Sequence, residues 1–378
     1  MKQLVMATRW PLIITAIVIG VAVIFSDIPT VVKIVVLIVL EISLSFDNAV
    51  VNAKILERMS EWWQKIFLSV GIIIAVFGMR LVFPLAVVGL TASLGPVETF
   101  QKAMAGGSID QPDTYAYLLH EAHPAIAAFG GMFLLMLVLD WLFEDREITW
   151  LSWLERPLAR IGKLDQLSVV VAVTALCVIA ETMAKEPGTV LLAGALGLIT
   201  YLAVNGLGEL FENEGGEGED DEAKSGIHGD VETLDKSFGS AEVAKAVGKQ
   251  AFFLFLYLEV LDASFSFDGV IGAFAISNNI FIIMIGLGVG ALYIRSLTVY
   301  LVHQGTLKNY VYLEHGAHWA IAALAVIMLV SIGHEIPEVI TGLIGVAFIS
   351  AAVIHSVWRN RQGMDDNDND GSTVLVAS

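Results

Sequence analysis

Ten apolar runs fill most of this chain, at about residues 11–26, 31–56, 66–90, 117–143, 167–185, 189–211, 249–276, 280–302, 317–334 and 338–358. Crossing a bilayer takes about 20 apolar residues as a helix, against about 9–11 as a strand. In hydrocarbon the backbone must satisfy its own hydrogen bonds, which leaves only helices and closed barrels. Runs of this length therefore predict an all-α, polytopic membrane helix bundle of about ten transmembrane helices. Composition agrees: 56% of the 378 residues are hydrophobic and 16% are charged, with a mean hydropathy of +0.73. A soluble domain carries about 25% charge.

The net charge of −18 is local. Residues 212–245 hold eleven acids and 365–370 hold four, which leaves 24 acids against 18 basic residues elsewhere. This pattern argues against nucleic acid as a partner and leaves the lipid bilayer as the main one. The single cysteine, Cys177, excludes an intrachain disulfide and a cysteine metal cluster. The N-terminus begins like a signal peptide, with Lys2 and Arg9 before the first apolar run. No small-x-small cleavage site follows, so it reads as a retained helix.

The chain divides into a first transmembrane helix (1–29), a first repeat (30–145), connecting helices (146–211), an acidic linker expected to be disordered (212–247), a second repeat with the last helix (248–358), and an acidic tail (359–378) also expected to be disordered. Lys54, Arg58 and Lys65 fall on one side with Arg146, Arg156, Arg160, Lys163, Lys308, Arg359 and Arg361, if both termini are cytoplasmic.

Inside the second run stands 41-EISLSFDN-48, and inside the seventh 262-DASFSFDG-269. Glu41 matches Asp262, Ser45 matches Ser266 and Asp47 matches Asp268. In the same order Arg80 of GMR matches Arg295 of YIR. Then 117-YLLHEAHPAIAA-128 matches 312-YLEHGAHWAIAA-323, pairing His120 with His315 and His123 with His318. Seventeen residues beyond the second His of each, Asp140 matches Glu335. Collinear matches of this kind mark an internal repeat. The copies begin in runs two and seven, an odd number of crossings apart, so they insert in opposite directions. Inverted repeats are the architecture of many secondary transporters, with the substrate near the midplane where the halves meet.

An acid at the bilayer centre costs about 2.5–3.5 kcal/mol on insertion scales, and such residues face an interior site. Glu41, Asp47, Asn48, Asp262 and Asp268, with Glu259 one turn before Asp262, make an all-oxygen donor set. Oxygen donors suit hard dications such as Mg²⁺, Ca²⁺ and Mn²⁺. Clustered carboxylates cannot all ionise unless a cation sits among them. A dication and protons in turn would satisfy that requirement. Ser45 and Ser266 add hydroxyls. Glu41 and Asp47 are six residues apart and do not share a helix face. The helix is therefore broken near 46–48 or the two acids serve different walls, and Gly269 favours a break in the second copy. Arg80 and Arg295 read as structural counter-charges. The His pairs, with Asp140 and Glu335, read either as interfacial caps or as vestibule ligands or proton relays. H-E-A-H lacks the zinc-protease spacing, and no P-loop is present. The tail stretch 366-DNDNDG-371 starts like an EF-hand loop but reaches Ala377 at position twelve.

The motif at Glu41, Leu44, Ser45, Asp47 and Asn48, with FGMRLVFPL and HEAHPAIAAFGGMFLLM, resembles the TerC family of integral membrane proteins, and in particular a bacterial branch of unknown function. The family was named for tellurium resistance. Its better understood members look like manganese exporters of the wider lysine-exporter superfamily. The resemblance implies Glu41, Asp47, Asn48, Asp262 and Asp268 as ligands of a transported metal, Mn²⁺ first. It points to an exporter in the bacterial inner membrane; exchange for protons is the expectation from the clustered carboxylates, and neither an enzyme nor a bound cofactor is expected, since no characteristic hydrolase spacing is present. Two features depart from the family: SFDG replaces the D-S of many relatives, and the acidic linker is long. Carriage of Ca²⁺ or another cation, a tellurite or oxyanion-resistance role, an intramembrane metal-dependent enzyme, and a scaffold for extracytoplasmic metalloenzymes remain open alternatives.

Overall fold

A computed structural model describes residues 2–146, 148–164, 166–214, 248–303, 310–334 and 336–370. Most of the acidic linker, Glu335 and the end of the tail lie outside the described residues, as do the side chains of Asp47 and Asp268. Among the described residues every regular element is a helix, and the protein is a polytopic helix bundle. The first half contains α1 (Lys2–Phe25), α2 (Ile28–Leu44), α3 (Phe46–Glu57), α4 (Glu61–Ile73), a π-helical segment (Ile74–Val82), α5 (Phe83–Thr91), α6 (Pro96–Ala105) and α7 (Tyr115–Phe143). Then follow α8 (Ser152–Ile161), α9 (Leu167–Met183), α10 (Pro187–Glu214), α11 (Gly248–Ile276), α12 (Ile280–His303), α13 (Leu313–Ser331) and α14 (Glu338–Asp370).

Each of the ten apolar runs falls on helix, but fewer than ten qualify as crossings. Among the described residues seven helical spans are long and apolar enough, and the bent pair α2–α3 makes an eighth. Of the other two runs, α9 has 17 residues, or about 25 Å at the α-helical rise. Helix α11 is long enough at 29 residues but carries Glu259, Asp262 and Asp268 within its apolar run. The last helix continues to Asp370, into the segment expected to be disordered.

The helix break lies in one copy only. Helix α2 stops at Ser45, and α3 leaves at 57° to it. Helix α11 runs unbroken through Gly269, against expectation. A Cβ on Gly269 would stand 3.5 Å from Glu41 Oε2, an ordinary contact distance, so the position places the helix beside the acid without demanding a glycine.

Contacts fix the helix directions. Gly286 faces Leu37 and Gly290 faces Glu41, so α2 and α12 run parallel. A Cβ at either glycine would stand 2.5 Å from the facing side chain, so only glycine lets the two backbones approach this closely. Glu259 reaches Gly71 while Ser266 reaches Arg80, so α11 runs parallel to α4 and the π segment. The short turn between α3 and α4 reverses the chain, which brings Arg80 back to Glu41. Hence α2 opposes α11, and α4–α5 opposes α12. Gly131 packs on Leu329 while Trp141 stacks on His318, so α7 opposes α13. All three matched pairs are inverted.

Candidate intramembrane charge site

In the first copy Glu41 is 1% exposed, on the last turn of α2. The Ser45 hydroxyl donates to its Oε1 at 3.1 Å, and Arg80 forms an ion pair with the same oxygen. Arg80 also donates to the Ala75 carbonyl at 2.6 Å and to Ser266 Oγ, on the other repeat, at 3.4 Å. It sits in the π segment, and π geometry concentrates at functional sites. Pro84 follows four residues later and cannot donate a backbone hydrogen bond into this stretch, which favours irregular winding. Asn48 is buried on the first turn of α3. One turn on, Asn52 is also buried, and its Oδ1 has no hydrogen-bond partner among the described residues.

In the second copy Arg295 grips Glu259 with both Nη atoms, at 3.0 and 3.1 Å, and reaches Asp262 Oδ2 at 3.3 Å. It donates to the Phe67 carbonyl at 3.1 Å, and its guanidinium lies 4.2 Å from the centre of the Phe67 ring. Each arginine thus holds its own repeat's acid and touches the other repeat. The two groups are neighbours. Glu41 lies against Gly269, and its charge is within electrostatic reach of Asp262, as Glu259 is of Arg80.

The three described acids of these two groups and their two arginines leave a formal charge of 2 − 3 = −1. Among the described residues no group of three His, Cys, Asp or Glu is placed to hold a metal ion. Glu41, Glu259 and Asp262 are engaged by guanidinium, so they become cation ligands only if the arginines move.

At one end of the bundle an opening of about 450 Å³ is lined by Lys33, Gly106, Gly107, Ser277, Asn278 and Asn279. Glu41 lies eight residues along α2 from Lys33, and Asp268 lies eight residues along α11 from Ile276. Each is about 12 Å of helix from the opening. At the opposite end Lys54 of α3 pairs with Glu314 of α13 at 2.5 Å, bridging the two repeats.

The His pairs lie at opposite ends, as inversion requires. His120 and His123 are half-buried near the start of α7. His315 is buried; its Nε2 lies 2.9 Å from the Ile148 carbonyl and 3.7 Å from Glu155. His318 stacks on Trp141 with centroids 4.5 Å apart, and its Nδ1 lies 2.9 Å from the Glu314 carbonyl. Asp140 accepts from the Tyr201 hydroxyl at 2.7 Å, away from the arginine groups. Sequence reasoning missed Glu155, Asn52 and the Lys54–Glu314 pair. Asn52 left a signal, since SFDNAVVN spaces its two asparagines four apart on one face, and so did Glu155, in the helix-start pattern 152-SWLE-155.

No curated protein and no solved structure matches the chain. The profile of a family described as Protein of unknown function (DUF475) matches residues 46–363. That match begins five residues after Glu41 and takes in Arg80, Glu259, Asp262, Arg295 and both His pairs. Matched over most of its length, the chain belongs to the DUF475 family.

Proposed function

We propose that the protein is a secondary transporter that exports a divalent metal cation, with Mn²⁺ as the leading cargo, in exchange for protons. The observation that carries this reading is the meeting of two inverted repeats at buried carboxylates, with Glu41 of one against Gly269 of the other. Membrane-embedded acids at such an interface are characteristic of substrate and proton pathways. The TerC resemblance supports the same reading and favours Mn²⁺. In this scheme Glu41, Asp47, Asn48, Asp262 and Asp268 take the cation, with Glu259 supporting. Arg80 and Arg295 neutralise part of the set when the cargo is absent. The protein would act in the bacterial inner membrane, with both termini cytoplasmic, and not as an enzyme.

Proton coupling follows from energetics. An interior negative by about 100 mV opposes exit of a dication by about 2 × 2.3, or ~4.6 kcal/mol. The sequence has no P-loop to supply that work. Carboxylates close together share protons readily, because repulsion raises the pKa of one of them. In proteoliposomes an imposed pH gradient should drive Mn²⁺ uphill, and Mn²⁺ movement should acidify the opposite compartment. Flux that follows only the metal gradient and voltage would refute the exchange.

The arginine pairs favour a second reading, in which Glu41, Glu259 and Asp262 only bridge helices. Under it, Glu259→Gln and Asp262→Asn lower stability but leave Mn²⁺ flux intact in protein that still inserts.

A further inference from the structure

Helix α8 lies across the end of the bundle where α7 stops and α9 and α13 begin. Its two faces differ. Glu155 and Ala159 are buried. Glu155 accepts from the backbone amides of Trp150 and Leu151 at 3.0 Å and from the Trp319 indole at 3.1 Å. That face is bolted to the bundle and fixes the helix's rotation. The opposite face carries Trp153, Arg156, Arg160 and Ile161, at helical spacing, and Leu164 continues it just past the helix end. Trp153 is 75% exposed and Leu164 62%. Neither arginine has an ion pair among the described residues, in a chain whose net charge is −18.

We infer that this face is a docking surface for anionic phospholipid headgroups of the bilayer the bundle spans. An interfacial helix puts its aromatic and aliphatic side chains at the acyl boundary and its basic ones among the headgroups. Two guanidinium groups one turn apart match phosphate oxygens. The chain's own acidic segment, residues 212–245, is the rival occupant by charge. It has few apolar residues and would leave Trp153, Ile161 and Leu164 in water, whereas the bilayer covers both kinds of side chain.

The test is lipid retention by the full-length protein in detergent, measured by native mass spectrometry with phosphatidylglycerol against phosphatidylcholine. Wild type should prefer phosphatidylglycerol. A basic residue near an anionic surface contributes about five-fold, so R156Q/R160Q should lower the preference about 25-fold. R156K/R160K should keep most of it. Raising salt from about 50 to about 500 mM should weaken it in wild type, which tests the idea even if the Gln variant fails to fold. Equal retention of both lipids, a salt-independent preference, or an unchanged preference in R156Q/R160Q would overturn the proposal. So would a preference that emerges only after residues 215–245 are deleted, which would place the acidic segment on this face.

Discussion

The two halves answer the same motif differently. The first holds a single buried acid on Arg80, beside a 57° helix break and inside a π-helical stretch. The second holds two acids on Arg295, with α11 unbroken and α12 regularly wound. By described side chains the first group is neutral, 1 − 1 = 0, and the second is −1, 1 − 2 = −1. Irregular backbone is costly in a membrane and persists only where protein or a cavity covers it. The first half therefore holds the deformable element, and the second the charge surplus.

The largest expected effect tests whether both halves are needed at all. Asp47→Asn and Asp268→Asn each remove a charge at nearly constant volume. Each should abolish Mn²⁺ flux in proteoliposomes while leaving an inserted, folded protein by size-exclusion chromatography. Loss in one variant alone would show that only one half handles cargo, and normal flux in both would remove these acids from the site.

Stability should separate the halves next. Deleting one partner of a buried ion pair typically costs about 3–5 kcal/mol. Arg295→Gln strands two acids and Arg80→Gln one, so thermal unfolding in detergent should fall further for Arg295→Gln. Equal losses would mean that Asp262 draws little from Arg295. The smallest effect concerns the acidic linker: deleting 213–235 should change flux only modestly, and complete loss would place the linker in the transport cycle.

Much of this architecture was legible because repeats and apolar periodicity are written along the chain. Glu41, Asp262, Arg80 and Arg295 stood out as charges in apolar runs, and their collinear order gave the inversion. The helix break was legible only as a choice between geometries. Gly269 misled, because a glycine permits a helix break without requiring one, and here the helix runs straight through it. The π segment had Pro84 as a faint local cue. The Trp319–Glu155 contact and the Lys54–Glu314 bridge had none, since their partners lie 164 and 260 residues away and look like ordinary surface residues until the chain folds.

That bridge has a further consequence. By the repeat's own alignment, Lys54 and Glu314 correspond to Ala275 and Leu119, so the opposite end carries no charge at the equivalent positions. The Lys54 and Glu314 side chains are 30% and 35% exposed, within reach of dissolved ions. Counter-ions weaken such a pair and leave apolar contact largely untouched. Ionic strength thus acts on the two ends unequally: salt on the Lys54 side loosens a clasp between the repeats that has no counterpart at the equivalent positions of the other end.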